Sequence, residues 1–212
     1  MCIRDRLGVF GQSSGQAFVY QYGAIPAVVF GYAELPSELV AVSPYGSLFT
    51  SMFLHGGWMH LIGNMLYLWI FGNNVEDVMG HGKFIIFYLL CGIIAALSHA
   101  AIDPVSTIPM VGASGAISGI LGAYVLLYPR AQVLVLIPLG FFSQMLYVPA
   151  SIVLGLWFVL QVLSGGMSLG TEGGGVAFFA HIGGFLAGIL LIGFFKHPRV
   201  KFFNPPHPHD RR

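Results

Sequence analysis

The sequence predicts an all-α polytopic membrane protein, a helical bundle whose solvent is lipid. Three observations carry that expectation. Hydrophobic residues make up 56% of the 212-residue chain and charged residues 8%, and the mean hydropathy is +0.80. Soluble domains carry about 25% charged residues, so this chain cannot coat itself with polar surface in water. Five apolar runs lie at about 58–75, 84–102, 112–128, 145–163 and 176–195, each near the ~20 residues that a spanning helix needs. Finally, five alternating helices put Lys83, Arg130, Lys196, Arg199, Lys201, Arg211 and Arg212 on one face. The opposite loops, near Asp103 and Glu172, and the stretch 7–57 hold no Lys or Arg. The positive-inside rule makes the charged face cytoplasmic, so the runs starting at 58, 112 and 176 begin on the outer side.

Taken in order, the chain opens on Met1-Cys2-Ile3-Arg4-Asp5-Arg6, which no apolar h-region follows, so it is not a signal peptide. Residues 7–22 are interrupted by Gln12, Ser13, Ser14, Gly15 and Gln16, too short and too polar to span. Residues 1–22 therefore read as a foreign prefix and the remnant of a truncated N-terminal region. Residues 23–57, with Pro26, Pro36 and Pro44, read as a long outer-side first loop, partly embedded in the membrane. Residues 58–195 form the transmembrane core. Within it the piece 131–142, interrupted by Pro138 and Gly140, is expected to be interfacial or re-entrant. Residues 196–212 form a cytoplasmic tail. Five spans from an outer N-terminus leave 7–57 with nothing to translocate it. A preceding helix would make six, and the five-helix form is expected to be less stable and weakly active or inactive.

Composition also removes function classes. A formal net charge of +1 gives nucleic acid no electrostatic footprint. Cys2 and Cys91 are the only cysteines, so neither a disulfide framework nor a Cys-based zinc site can be built. No His-Glu-x-x-His occurs, and no metal or cofactor is called for. His81 flanks a cytoplasmic turn, His99 is interfacial, and Trp58, Trp69 and Trp157 suit packing or anchoring.

What remains is a set of polar residues inside apolar runs, where each is costly. Gly112-Ala113-Ser114-Gly115 opens the third run. Gly115 and Gly119 can be a helix-packing pair, or Ser114 can be a nucleophile at an open helix N-terminus. Depth favours the second reading. At about 1.5 Å per residue, Ser114 stands roughly 24 Å above Arg130, and His181 roughly 22 Å above Lys196. On the same scale Asn64 is roughly 18 Å and His60 roughly 24 Å above Glu76. All four share a layer some 5–12 Å below the outer surface of a ~30 Å core. Gly115, Ser118, Gly119 and Gly122 give one helix a small-residue face. Gly184 and Gly188 continue the face of His181 on another, so the two helices can approach until Ser114 and His181 meet. Serine beside histidine is a nucleophile with its general base. His60, Asn64 and the Ser114 amide would face the developing oxyanion.

Gly112-Ala113-Ser114-Gly115, Ala180-His181-Ile182-Gly183-Gly184 and His55-x4-His60-x3-Asn64, in this order and spacing, resemble the signature motifs of rhomboid intramembrane serine proteases. The resemblance runs from about Ser47 to Phe195 and includes Gly72-Asn73-Asn74-Val75-Glu76-Asp77. It implies a rhomboid-like bundle with five of its six transmembrane helices present. It implies a Ser114–His181 dyad without a third acidic member, and an oxyanion site from His60, Asn64 and the Ser114 amide. Gly112, Gly115, His55, Gly184 and Gly188 are expected to support it. The implied activity is cleavage of other proteins' transmembrane segments near their outer ends, without cofactor. The implied setting is a prokaryotic cytoplasmic membrane, the site opening outward. Three departures stand out: the first helix is missing, Pro44-Tyr45-Gly46-Ser47 lacks a Trp-Arg pair, and Ser118 replaces a tyrosine that stacks on the histidine in some members. The rival readings are a rhomboid-like pseudoprotease acting as a chaperone or adaptor, and a small transporter.

Overall fold

A computed structural model describes residues 12–139, 142–169 and 177–203. Met1–Arg6, Glu172, Arg211 and Arg212 lie outside the described residues. The chain forms helix α1 (Gln12–Tyr22), a short α2 (Pro26–Val29), a 3-10 turn (Ser37–Leu39), α3 (Pro44–Thr50) and a second 3-10 turn (Ser51–Phe53). Helix α4 (Trp58–Tyr67) runs through a π-helical turn at Leu68–Gly72 into α5 (Asn73–Asp77). Then come α6 (His81–Ala100), α7 (Ser114–Leu127), strands β1 (Gln132–Leu139) and β2 (Phe142–Pro149), α8 (Ala150–Ser168) and α9 (Phe178–Phe195). By length and composition α6, α8 and α9 can each cross a membrane, and α7 is a shorter apolar helix. The protein is an integral multi-pass membrane protein, and its exposed apolar side chains, Met59, Trp69, Leu190 and Phe194 among them, face lipid.

Helix α7 is the axis of the bundle. Every residue from Gly115 to Tyr124 is buried. Its 14 residues rise only about 21 Å, less than a ~30 Å hydrocarbon core, so one end must stop inside the membrane. The other end is tied to the charged side. The Val78 carbonyl, after α5, accepts from the His197 amide after α9, and the Leu126 carbonyl accepts from Phe203 N–H. Lys83, Arg130 and Lys196 collect at this basic end. Here the interior is packed by the buried side chains Phe71, Val75, Phe87, Ile120, Leu121, Leu127, Leu154 and Ile192.

At the opposite end the first loop clamps the segment that leads into α7. Ala24 and Met110 exchange backbone hydrogen bonds of 3.1 and 2.8 Å, and the Gly112 amide donates to the Ser51 carbonyl at 2.9 Å. Residues 23–57 form short helices and turns.

One expectation gains detail and one is corrected. Within the piece 131–142, Gln132–Leu139 is a strand, β1, paired antiparallel with β2, Gln132 opposite Pro149 and Val135 opposite Leu146. Its Val/Leu/Ile run is rich in residues that suit a pleated strand. The span placed at 145–163 accordingly starts later, at Ala150, because 142–149 is strand.

Candidate active site

The structure brings Ser114 and His181 together. Ser114 is the first residue of α7, and His181 lies in the first turn of α9. The Ser114 Oγ and His181 Nε2 are 2.8 Å apart. Backbone contact between the two helices sets this distance. A Cβ on Gly184 would overlap the carbonyl of Gly115, and one on Gly188 the carbonyl of Gly119. A Cβ on Gly122 would in turn meet the Phe185 carbonyl. Glycine is what lets α7 and α9 touch main chain to main chain.

His60 and Asn64 lie one turn apart on α4. The Gly56 amide donates to His60 Nδ1 at 3.2 Å. In the neutral ring Nε2 must therefore carry the proton. Gly112 adopts φ +128°, a conformation side chains disfavour, and the position its Cβ would take lies 2.9 Å from His60 Nε2 and 3.7 Å from Ser114 Oγ. Both groups border the space that the missing side chain leaves. Asn64 Nδ2 is buried and has no hydrogen-bond partner among the described residues. A buried amide donor without a partner is uncommon.

His55 is buried edge-on to His60, ring centroids 5.3 Å apart, and its Nε2 has no hydrogen-bond partner among the described residues. Burial first, and then the neighbouring His60, hold its pKa below the ordinary histidine value. His99 packs beside Phe179 at the end of α6, its buried Nδ1 without a hydrogen-bond partner among the described residues. A cavity of about 590 Å³ lies between the first loop, α4 and α6. Its lining is apolar except at His55 and Tyr88 and includes Ala113, the residue before Ser114.

A family model described as the Rhomboid domain matches residues 43–198. The chain belongs to the rhomboid family. It is similar to Rhomboid protease GluP of Bacillus subtilis (strain 168), 38% identical over 126 residues, which covers 54% of this chain and 24% of that protein. It is also similar to Rhomboid protein 1, mitochondrial, of Saccharomyces cerevisiae, 28% identical over 189 residues, 81% of this chain and 51% of the relative. Rhomboid-like protein 11, chloroplastic, of Arabidopsis thaliana is 33% identical over 147 residues, 68% and 50%. The chain thus spans about half the length, or less, of these relatives.

Two residues of this rhomboid site escaped sequence reasoning. Gln161 on α8 stands with Oε1 2.8 Å from His181 Nδ1. Trp157, one turn earlier, sets its ring beside His181, centroids 5.9 Å apart and planes at 35°. Ser118, by contrast, turns its hydroxyl back to the Ser114 carbonyl, donating to it at 2.6 Å. The signal for Gln161 was available: it is a lone amide in an apolar run, which lipid makes costly.

Proposed function

We propose that this protein is an intramembrane serine endopeptidase that cleaves transmembrane segments of other membrane proteins near their outer ends. The observation that carries the reading is the 2.8 Å contact between Ser114 Oγ and His181 Nε2 at the lipid-buried end of α7. His181 Nε2 takes the Ser114 proton as Oγ attacks the scissile carbonyl. The oxyanion that forms faces His60 Nε2–H, the unpartnered Asn64 Nδ2 and the Ser114 amide at the open helix terminus. His181 then gives its proton to the leaving amine, and water releases the acyl-enzyme by the same steps in reverse order.

Substrate form follows from lipid. A helical peptide hides its scissile carbonyl in the i→i−4 ladder, so it must unwind before attack. Gly or Pro near the outer end of the substrate span weakens that ladder. The charge distribution supports an orientation with the Lys83, Arg130 and Lys196 end in the cytoplasm and the site toward the outer face. A prokaryotic cytoplasmic membrane is the setting this reading takes.

The test is cleavage of a transmembrane reporter by the chain in proteoliposomes. Ser114→Ala and His181→Ala are each expected to abolish turnover and labelling by a fluorophosphonate, with insertion intact. Asn64→Ala is expected to lose about 10²–10³-fold in kcat, the usual cost of one oxyanion donor. Turnover in His181→Ala close to that of the unaltered chain would sink the reading.

A further inference from the structure

The histidine of a serine–histidine pair works only in one tautomer. If Nε2 carries the ring proton it donates to the serine and cannot take a proton from it. If Nδ1 carries the proton, the Nε2 lone pair meets the serine O–H. Ser114 cannot make this choice, because its hydroxyl can either donate or accept. The choice must come from whatever meets Nδ1.

In this chain Nδ1 meets the side-chain oxygen of Gln161 at 2.8 Å. An oxygen at that position only accepts, so Nδ1 is the protonated nitrogen and Nε2 is left as the base. Trp157, on the same face of α8 one turn away, flanks the ring at 5.9 Å. One helix therefore supplies both a polar stop for the ring edge and an apolar wall for its face. We propose that Gln161 is a positioning residue for the reaction: its amide oxygen holds His181 in the base-competent tautomer and orientation toward Ser114. This rests on the serine-protease reading above.

The residue type suits the surroundings. An ionised carboxylate at this depth would be costly to bury in lipid, whereas an amide supplies an acceptor at no charge. When His181 takes the Ser114 proton, the same Nδ1–H···O bond becomes charge-assisted and strengthens. The help is thus greatest after proton transfer has begun, so it is expected in kcat rather than in KM. The competing role is interhelical hydrogen bonding that merely holds α8 to α9. Such glue would change stability and leave the chemistry of the folded fraction alone.

The experiment compares the unaltered chain, His181→Ala, Gln161→Leu and Gln161→Glu in proteoliposomes. Reporter kcat and KM and the fluorophosphonate labelling rate of Ser114 are measured, each normalised to the folded fraction. Gln161→Leu removes the acceptor at similar volume. It is expected to lower kcat and the labelling rate together by about 10- to 100-fold, the scale of a misplaced catalytic group, with KM within about twofold. Gln161→Glu keeps an oxygen toward Nδ1 and, since the protonated His181 partners its charge, is expected to recover part of that loss. If Gln161→Leu keeps kcat within twofold, the role of Gln161 is overturned. A folded unaltered chain whose Ser114 is not labelled overturns the protease reading and this inference with it. A chain that is active, silenced by His181→Ala and untouched by Gln161→Leu removes only the inference.

Discussion

Helices α8 and α9 are both long and apolar, and both reach the candidate site, yet they are held in opposite ways. Helix α9 meets α7 through main chain, where Gly184 and Gly188 leave no room for even a methyl group. Helix α8 meets the bundle through side-chain tips: Phe158 stacks on Phe185 with centroids 4.6 Å apart, Trp157 lies by His181, and Gln161 reaches its Nδ1. Of its residues only Ala150, Leu154 and Gly165 are buried, and Leu156, Leu160 and Leu163 face lipid. In lipid, apolar surface gains little by leaving its solvent, so close contact and hydrogen bonds decide what holds. The difference separates two tasks. The α7–α9 contact fixes the Ser114–His181 distance, and α8 adjusts the histidine from outside.

The sharpest way to break this contrast is to add one carbon to each helix at a chosen point. Gly188→Ala places a methyl group onto the carbonyl of Gly119, against backbone that cannot rotate aside. Overpacking typically costs about 1–3 kcal/mol, and this case belongs at the upper end or beyond. The expected outcome is a clear fall in melting temperature in detergent, together with loss of fluorophosphonate labelling as α9 is pushed away. A Gly188→Ala chain that labels and melts like the unaltered one would mean that backbone contact does not set the site.

A middle-sized effect is expected from Phe158→Ala. It removes the aromatic pair with Phe185, worth about 0.5–1.5 kcal/mol beyond the area it covers. Melting should fall by less than in Gly188→Ala, and reporter cleavage should be slowed but retained, because Ser114 and His181 are held by α7 and α9. Loss of all labelling in a folded Phe158→Ala chain would show that α8 is as rigid a part of the site as α9.

The same contrast explains what was legible in the sequence. The helices of the core declared themselves by length and hydropathy, and the glycine spacing on α7 and α9 announced a close approach. Ser114, His181 and Asn64 stood out because lipid makes each polar group expensive. Gln161 carried that same signal, but its partner depends on how α8 tilts and turns, and side-chain contact leaves no spacing rule to read. The Gly56–His60 hydrogen bond likewise needs the particular turn before α4. The strand pair at 132–139 and 142–149 was ambiguous for another reason: a short apolar run beside Pro138 and Gly140 fits a strand or an embedded segment equally well.

The smallest expected effect sharpens the comparison from the other side. Gly155 sits in the interior of α8, and a Cβ there would meet nothing within 4 Å. Alanine replaces the most flexible residue with the best helix former, a gain of up to about 0.5–1 kcal/mol in a helix interior. Nothing opposes that gain at Gly155, whereas at Gly188 the Gly119 carbonyl does. Gly155→Ala is therefore expected to melt at the same temperature or slightly higher, with unchanged reporter cleavage and fluorophosphonate labelling. One chemical change, Gly to Ala, should thus carry opposite signs on two neighbouring helices. If Gly155→Ala destabilises the protein as Gly188→Ala does, then α8 is packed against a surface as close as the one α9 meets, and the division of labour between the two helices fails.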